Sequence, residues 1–292
     1  MAVDNSPPSN LSPYSYHFEY EGDSTLIIRL HQTTGATPDI CVNTIAIRIA
    51  EYINTKLVPQ HQGIIEALPT FTTVGVYYDL DMLGEEAFTK ICQQLQPICE
   101  QVLASTLKEE QSNSSSQLHN TTPITIPICY EFGEDLAELA DTLSLSIEEI
   151  IALHSQTPIR VFMLGFSPGM PYLGMFNEKL NVPRRATPRI KLPAGAVAIA
   201  NRQCVIYPFE TPGGWHIVGR APLKLFNPNK VPHTPYQPGD MIIFKPISKE
   251  EYQQIYQQEH NSSTDKDYLL TDSQNDNQPS IASHQNSNDI SL

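Results

Sequence analysis

The sequence lacks several features that would have placed it in a class directly. No apolar run approaches the roughly 18–20 residues that a membrane-crossing helix needs. The opening residues, from Met1 to Pro8, have neither the basic start nor the apolar stretch of a secretory signal, so a cytoplasmic protein is expected. The five cysteines (Cys41, Cys92, Cys99, Cys129, Cys204) form no CxxC pair. That argues against a disulfide framework or a structural zinc and for buried thiols in a reducing compartment. The nine histidines contain no HxH or HxxxH pair, so no metal is expected. There is no G-x-x-x-x-G-K-[ST] run and no G-x-G-x-x-G after a strand, which excludes an ordinary nucleotide-phosphate cradle and a dinucleotide site. No internal repeat is present.

Positive charge is scarce as well. The chain carries 18 Lys+Arg against 32 Asp+Glu, a net −14 over 292 residues. Phosphate backbones and anionic membranes select basic surfaces, so neither nucleic acid nor membrane is an expected partner. The deficit is uneven. Between Pro158 and Ile247 eleven Lys/Arg face only Glu178, Glu210 and Asp240, so that block is +8 and the remainder −22. A basic block in an acidic chain points to a small anionic ligand.

At this length two domains are expected in an α+β chain. Residues 1–12 and 108–122 read as polar spacers, the second an interdomain linker. Residues 261–292, rich in Ser, Asn, Gln and Asp, have too little apolar surface to offset ordering entropy and read as a disordered tail. Between the spacers, residues 14–107 give the order ββαββα, a two-layer sandwich with both helices on one sheet face. Its signals are strands at Tyr14–Glu19, Thr25–His31, Ile64–Pro69 and Thr72–Asp79, with a turn at Gly22. Ile45, Ile49, Ile53 and Leu57 form one helical stripe, and Phe88 to Leu103 a second, with a kink or break expected at Pro97. Residues 123–260 start with a strand, Ile124–Tyr130, and two helices, Glu134–Leu143 and Ile147–Ser155, the latter with a capping box from Ser146 to Glu149. From Pro158 to Pro246 the chain holds 14 of its 24 prolines and 8 of its 14 glycines. That density forbids helices, and the short apolar runs between favour a closed barrel or sandwich. A last helix is expected at Lys249–Gln258.

Three groups of residues could carry chemistry. Gly165-Phe166-Ser167-Pro168-Gly169 matches G-x-S-x-G, yet the residue after the serine is a proline with no N–H for an oxyanion hole, and Pro171 forbids the helix that must follow. A Ser167 nucleophile is therefore rejected in favour of a Gly/Pro turn. Gly213-Gly214-Trp215 could expose backbone amides to an anion, or could be a tight turn with Trp215 as a barrel plug. Glu210 precedes it; on a strand, His216, Val218 and Arg220 would share one face, bringing a carboxylate, an imidazole and a cation together. Arg184, Arg185, Arg189 and Lys191 form a basic run held by prolines, either a solvated face or a rigid set of guanidiniums.

These segments carry a resemblance to a known family. The run from Phe162 to Gly174 is similar to its G-F-x-P-G-F-P-Y-L-G signature, and Pro183-Arg184, Thr187-Pro188-Arg189, Pro193-Ala194-Gly195, Tyr207-Pro208 and the block from Thr211 to Arg220 follow in the family's order. The family is that of the B-type subunit of 5-oxoprolinase, also called the kinase-inhibitor family or allophanate hydrolase subunit 1. The resemblance spans roughly Tyr14 to Pro246; Ser167, Met170, Met175 and Ala221 depart from the usual residues, and the 108–122 insertion and the tail lie outside it. It implies a cyclophilin-like barrel in the C-terminal half and a bacterial subunit acting with two partners, of the A and C types, in ATP-dependent opening of 5-oxoproline to glutamate. ATP would be a co-substrate of the complex, not bound by this chain alone. Arg184, Arg189, Arg220, Gly213, Gly214 and Tyr172 are then expected at the anionic substrate, with His216 and Glu210 handling protons. The alternatives are an inhibitory protein acting on a sensor histidine kinase and a carboxyltransferase-related subunit of the urea carboxylase type. Prolyl isomerase activity is the weakest option, since fold does not carry function.

Overall fold

In a computed structural model of the chain, residues 13–32, 40–60, 63–111 and 122–260 are described. The expected spacer at 1–12, most of the one at 108–122, and the tail from 261 lie outside them.

Strands β1 (Tyr14–Glu21) and β2 (Thr25–Gln32) form an antiparallel hairpin, and Gly22 supplies the left-handed φ of +62° its turn requires. Alternation decides the buried face: Tyr16, Phe18, Leu26 and Ile28 are fully buried. With β3 (Ile64–Pro69) and β4 (Thr73–Tyr78) they make a four-stranded sheet of order β1-β2-β4-β3. Helices α1 (Ile40–Tyr52) and α3 (Ala87–Gln111) pack on this sheet and on each other, and the short α2 (Leu80–Leu83) leads into α3. Their stripes bury Ile45, Ile49, Ile91 and Leu95 completely in one core with the sheet. The period of four from Ile45 to Leu57 is longer than an α-turn, and the chain answers with a π-turn at Ile53–Leu57 that keeps Ile53 and Leu57 inside.

Two details differ from expectation here: α3 has no break at Pro97, and it does not stop before 108. The buried Leu95, Ile98, Cys99 and Val102 bind both halves of the helix to the core, and packing outweighs the one backbone bond proline removes. The same helix continues to Gln111, past the expected start of the spacer at 108.

A seven-stranded sheet follows, of order β12-β9-β10-β7-β6-β13-β5. Its members are β5 (Ile124–Ile128), β6 (Ile159–Leu164), β7 (Pro171–Gly174), β9 (Ala196–Ala200), β10 (Gln203–Ile206), β12 (His216–Arg220) and β13 (Met241–Pro246). Strands β8 (Arg189–Leu192) and β11 (Thr211–Gly213) pair separately. The two edges of the large sheet nearly meet: Cys129 and Arg220 exchange backbone hydrogen bonds of 2.9 and 3.0 Å, giving a nearly closed, barrel-like sheet. β7, β8 and β11 were not expected as strands, because prolines and glycines hide strands of three or four residues. Helix α4 (Leu136–Leu143) begins two residues later than expected, and α5 (Ile147–Ser155) carries the capping box from Ser146 to Glu149. The last helix, α6, covers Lys249–His260.

The sheet has two differently built faces. Val197, Ile199, Cys204, Ile206 and Val218 point into the larger core, where His154 is stacked between Phe176 and Phe244. Ala196, Ala198, Ala200 and Val205 point the other way, under Tyr207, Trp215 and Ile217. Arg160 joins the large sheet to α1. Its buried guanidinium donates to Asn43 Oδ1 (3.0 Å) and Thr44 Oγ1 (3.1 Å) of α1, while Asn43 donates to the Phe162 carbonyl (3.0 Å). Phe71 stacks on Phe162 beside this bond, with centroids 4.7 Å apart.

Candidate functional site

The alanine face presents two rows of side chains across the strands. Tyr172, Val205, Ala198 and Ile217 form the first row, by register through β7, β10, β9 and β12. Tyr207, Ala196 and Arg220 form the next, Tyr207 donating its amide to Ala196 and Ala196 pairing with Arg220. Small, fully buried side chains occupy the middle of both rows, with larger ones at their ends.

Arg184 projects onto this face from the loop before β8. Its guanidinium carbon lies 5.3 Å from the centre of the Trp215 ring, within cation–π range, and Trp215 meets Tyr172 edge-on at 6.1 Å. Prolines hold the loop, and one side-chain and one backbone hydrogen bond dock it: the His216 Nε2–H donates to the Pro183 carbonyl (3.0 Å) and the Arg185 amide to the Gly214 carbonyl (2.8 Å). Burial raises the Tyr172 phenol against the opposing charge of Arg184. Tyr207 is pushed up to about 12, by burial first and then by Tyr172, with Arg184 again opposing. Both phenols are thus neutral donors near pH 7, beside an arginine that makes no ion pair among the described residues.

The other expected residues are placed differently. Arg189 donates both Nη groups to Asp135, which is almost completely buried, and Arg185 adds a bond of 3.0 Å to the same carboxylate. The Ile217 amide completes the set at 2.7 Å. Burial alone would raise the Asp135 carboxyl, but the Arg189 and Ile217 bonds and the two positive charges hold it below its usual value. Arg189 therefore clamps α4 to the sheet. Glu210 forms an exposed ion pair with Lys191 at 2.9 Å. Gly213 and Gly214 have no left-handed φ and make no tight turn. Gly213 is required by close approach, since a Cβ there would stand 2.6 Å from the Tyr207 hydroxyl; at Gly214 the nearest atom would be Pro188 at 3.6 Å.

One expectation is overturned outright. His216 and Arg220 do not share a face, because β12 is bulged. His216 pairs with Ile199 and Ile217 with Ala198; Val218 is then extra, so Arg220 pairs with Ala196. Arg220 thereby joins Ile217 on the alanine face and His216 is left on the other, its Nδ1 buried without a partner. Ser167 lies in a loop joining two strands, with Met170 donating its amide to the Ser167 carbonyl, which is not the strand-to-helix elbow of a nucleophile.

Sequence reasoning misses Asp135 and gives Arg185 and Tyr207 no individual role. Asp135 opens a helix in an acidic stretch, and only the spacing of Arg185 and Arg189 hints at a shared partner. Tyr207 stands in a motif that by itself gives the phenol no role.

The chain as a whole is similar to known proteins. The family model "Carboxyltransferase domain, subdomain C and D" matches residues 17–236. The chain belongs to this family, and within it to the B-type subunits of 5-oxoprolinase. The Bacillus subtilis (strain 168) protein that carries this name is 36% identical over 248 residues, 84% of this chain and 98% of that one. Its namesake from Escherichia coli O157:H7 is 44% identical over 125 residues, 57% of its length. Among solved structures, TTHA0988 is 28% identical with a TM-score of 0.59 over 77% of this chain, which spans 40% of TTHA0988. The Kluyveromyces lactis urea carboxylase shares the fold, at a TM-score of 0.62 and 16% identity over 88% of this chain and 24% of that one.

Proposed function

We propose that the chain is a non-autonomous cytoplasmic subunit of an ATP-dependent 5-oxoprolinase, and that its alanine face holds the substrate. The observation that carries the site is Arg184, an arginine without an ion pair among the described residues, held over Trp215 beside two neutral phenols. A guanidinium so placed suits the carboxylate of 5-oxo-L-proline. The relatives' shared name, which makes each of them a 5-oxoprolinase subunit, supports the substrate class.

The chemistry asks for ATP, because the lactam is a stable amide. Transfer of the terminal phosphoryl group to the lactam oxygen releases ADP and makes the ring carbon electrophilic. Water adds there, the carbon–nitrogen bond breaks, and the nitrogen leaves as an amine after taking a proton. The acyl phosphate that remains loses phosphate to a second water, giving L-glutamate. In this scheme Arg184 anchors the substrate carboxylate, while Tyr172 and Tyr207 offer O–H donors to charge developing on oxygen. ATP is a co-substrate of the complex in this reading, not bound by this chain alone.

The test is reconstitution of the chain with its two partners and ATP, following glutamate release from 5-oxo-L-proline. Release that requires this chain supports the reading, and an unchanged rate when it is omitted overturns it. Carboxyl transfer is the second reading, favoured by the family model's description. ATP-dependent incorporation of labelled bicarbonate into an amide acceptor, in place of glutamate release, would mark it.

A further inference from the structure

A second opening lies at the Arg220 end of the same face. It is a cleft of about 210 Å³, floored by Ala196 and Ile217 and walled by Phe132, with Arg220, Glu131 and Glu134 at its sides. That volume is below the range of drug-sized sites and suits a ligand of amino-acid size. Its charges line one cleft without meeting. Arg220 pairs with neither glutamate; Glu131 reaches Lys249 at 3.3 Å, and Glu134 stands 3.8 Å from Arg189 Nε. The Arg220 Nε–H donates to the Ala194 carbonyl at 2.8 Å, which fixes the guanidinium plane and leaves its Nη groups unpartnered among the described residues. Nearby, the Tyr252 hydroxyl is buried with no hydrogen-bond partner; burial raises this phenol and the charge of Arg220 opposes the rise. A site that holds a cation and two carboxylates apart is matched by a ligand carrying both signs.

We propose that this cleft binds a free α-amino acid as its zwitterion, with the carboxylate on Arg220 and the ammonium on Glu131 and Glu134. The lactam nitrogen carries no charge, so the cleft favours an opened amino acid over the cyclic form. Naming the ligand as the product L-glutamate rests on the oxoprolinase reading above; the preference for a zwitterion does not.

Titration calorimetry on the full chain alone tests this with L-glutamate, N-acetyl-L-glutamate and 5-oxo-L-proline. L-Glutamate is expected to bind saturably, and Arg220→Gln to weaken it at least about tenfold, as loss of a charge-assisted contact should. The Glu131→Gln/Glu134→Gln double variant should weaken L-glutamate while leaving binding of N-acetyl-L-glutamate unchanged. Absence of L-glutamate binding overturns the proposal, as does N-acetyl-L-glutamate binding as tightly as L-glutamate. Circular dichroism of each variant separates lost binding from lost fold. Failure of the oxoprolinase reading would show in the reconstituted rate and would leave this binding intact.

Discussion

His216 and Arg220 belong to one strand, four residues apart, yet they face opposite sides of the sheet because Val218 is an extra residue between them. The imidazole docks the loop that carries Arg184, whereas the guanidinium lines a cleft. His216→Ala is expected to cost stability, about 1–3 kcal/mol for a lost buried hydrogen bond and its packing. Loss of this anchor of the Arg184 loop should raise KM for 5-oxo-L-proline and leave kcat of the folded complex in place. Urea titration and reconstituted rates check this, and a total loss of rate in a stably folded His216→Ala protein would return the residue to the chemistry.

Asp135 holds two arginines and a strand amide from a buried position. Asp135→Ala should destabilise by about 3–5 kcal/mol, since both guanidiniums lose their buried partner. The carboxyl is held below its usual value, so its contribution is complete above about pH 4 and fades as pH falls through the lower folded value. Unfolding midpoints across that acid range should therefore drop more steeply in the wild type than in Asp135→Ala.

The adjacent glycines should respond differently to one methyl group. Gly213→Ala puts a Cβ against the Tyr207 hydroxyl and is expected to cost about 1–3 kcal/mol by overpacking. Gly214→Ala meets only ordinary contact with Pro188 and should be close to neutral. Thermal melts of the two variants decide it.

His154 is buried among aromatics in the larger core, 2.7 Å from the Tyr130 hydroxyl, and burial lowers its pKa to about 3. Below about pH 6.5 the unfolded imidazole takes a proton that the folded one refuses until about pH 3. Stability should therefore fall through that window, by up to about 1.4 kcal/mol per pH unit. His154→Phe removes this titration and should flatten the slope, which chemical denaturation at pH 6.5, 5.5 and 4.5 would read.

Much of the fold is legible where side-chain periodicity is strong. Tyr16 and Phe18 alternate across β1, and Ile91 and Leu95 mark the buried stripe of α3. The strands β7, β8 and β11 are not legible, because their turn-forming residues mask so short an apolar pattern. The site is legible as a set of motifs and not as a geometry. A bulge such as that at Val218 leaves no mark on alternation, and the partner of Arg189 lies 54 residues away in an unrelated-looking acidic stretch. The +8 block changes meaning accordingly. Arg185, Arg189, Lys191 and Arg202 are spent on carboxylates, and Arg184 and Arg220 are the arginines of the alanine face that make no ion pair among the described residues.

The central claim is that Arg184 holds the substrate carboxylate, and steady-state kinetics of the reconstituted complex test it most directly. With Arg184→Ala, kcat/KM for 5-oxo-L-proline should fall about 10- to 100-fold, the worth of a charge-assisted contact, while the unfolding midpoint stays unchanged. Equal kcat/KM for the wild-type and Arg184→Ala complexes would contradict the account.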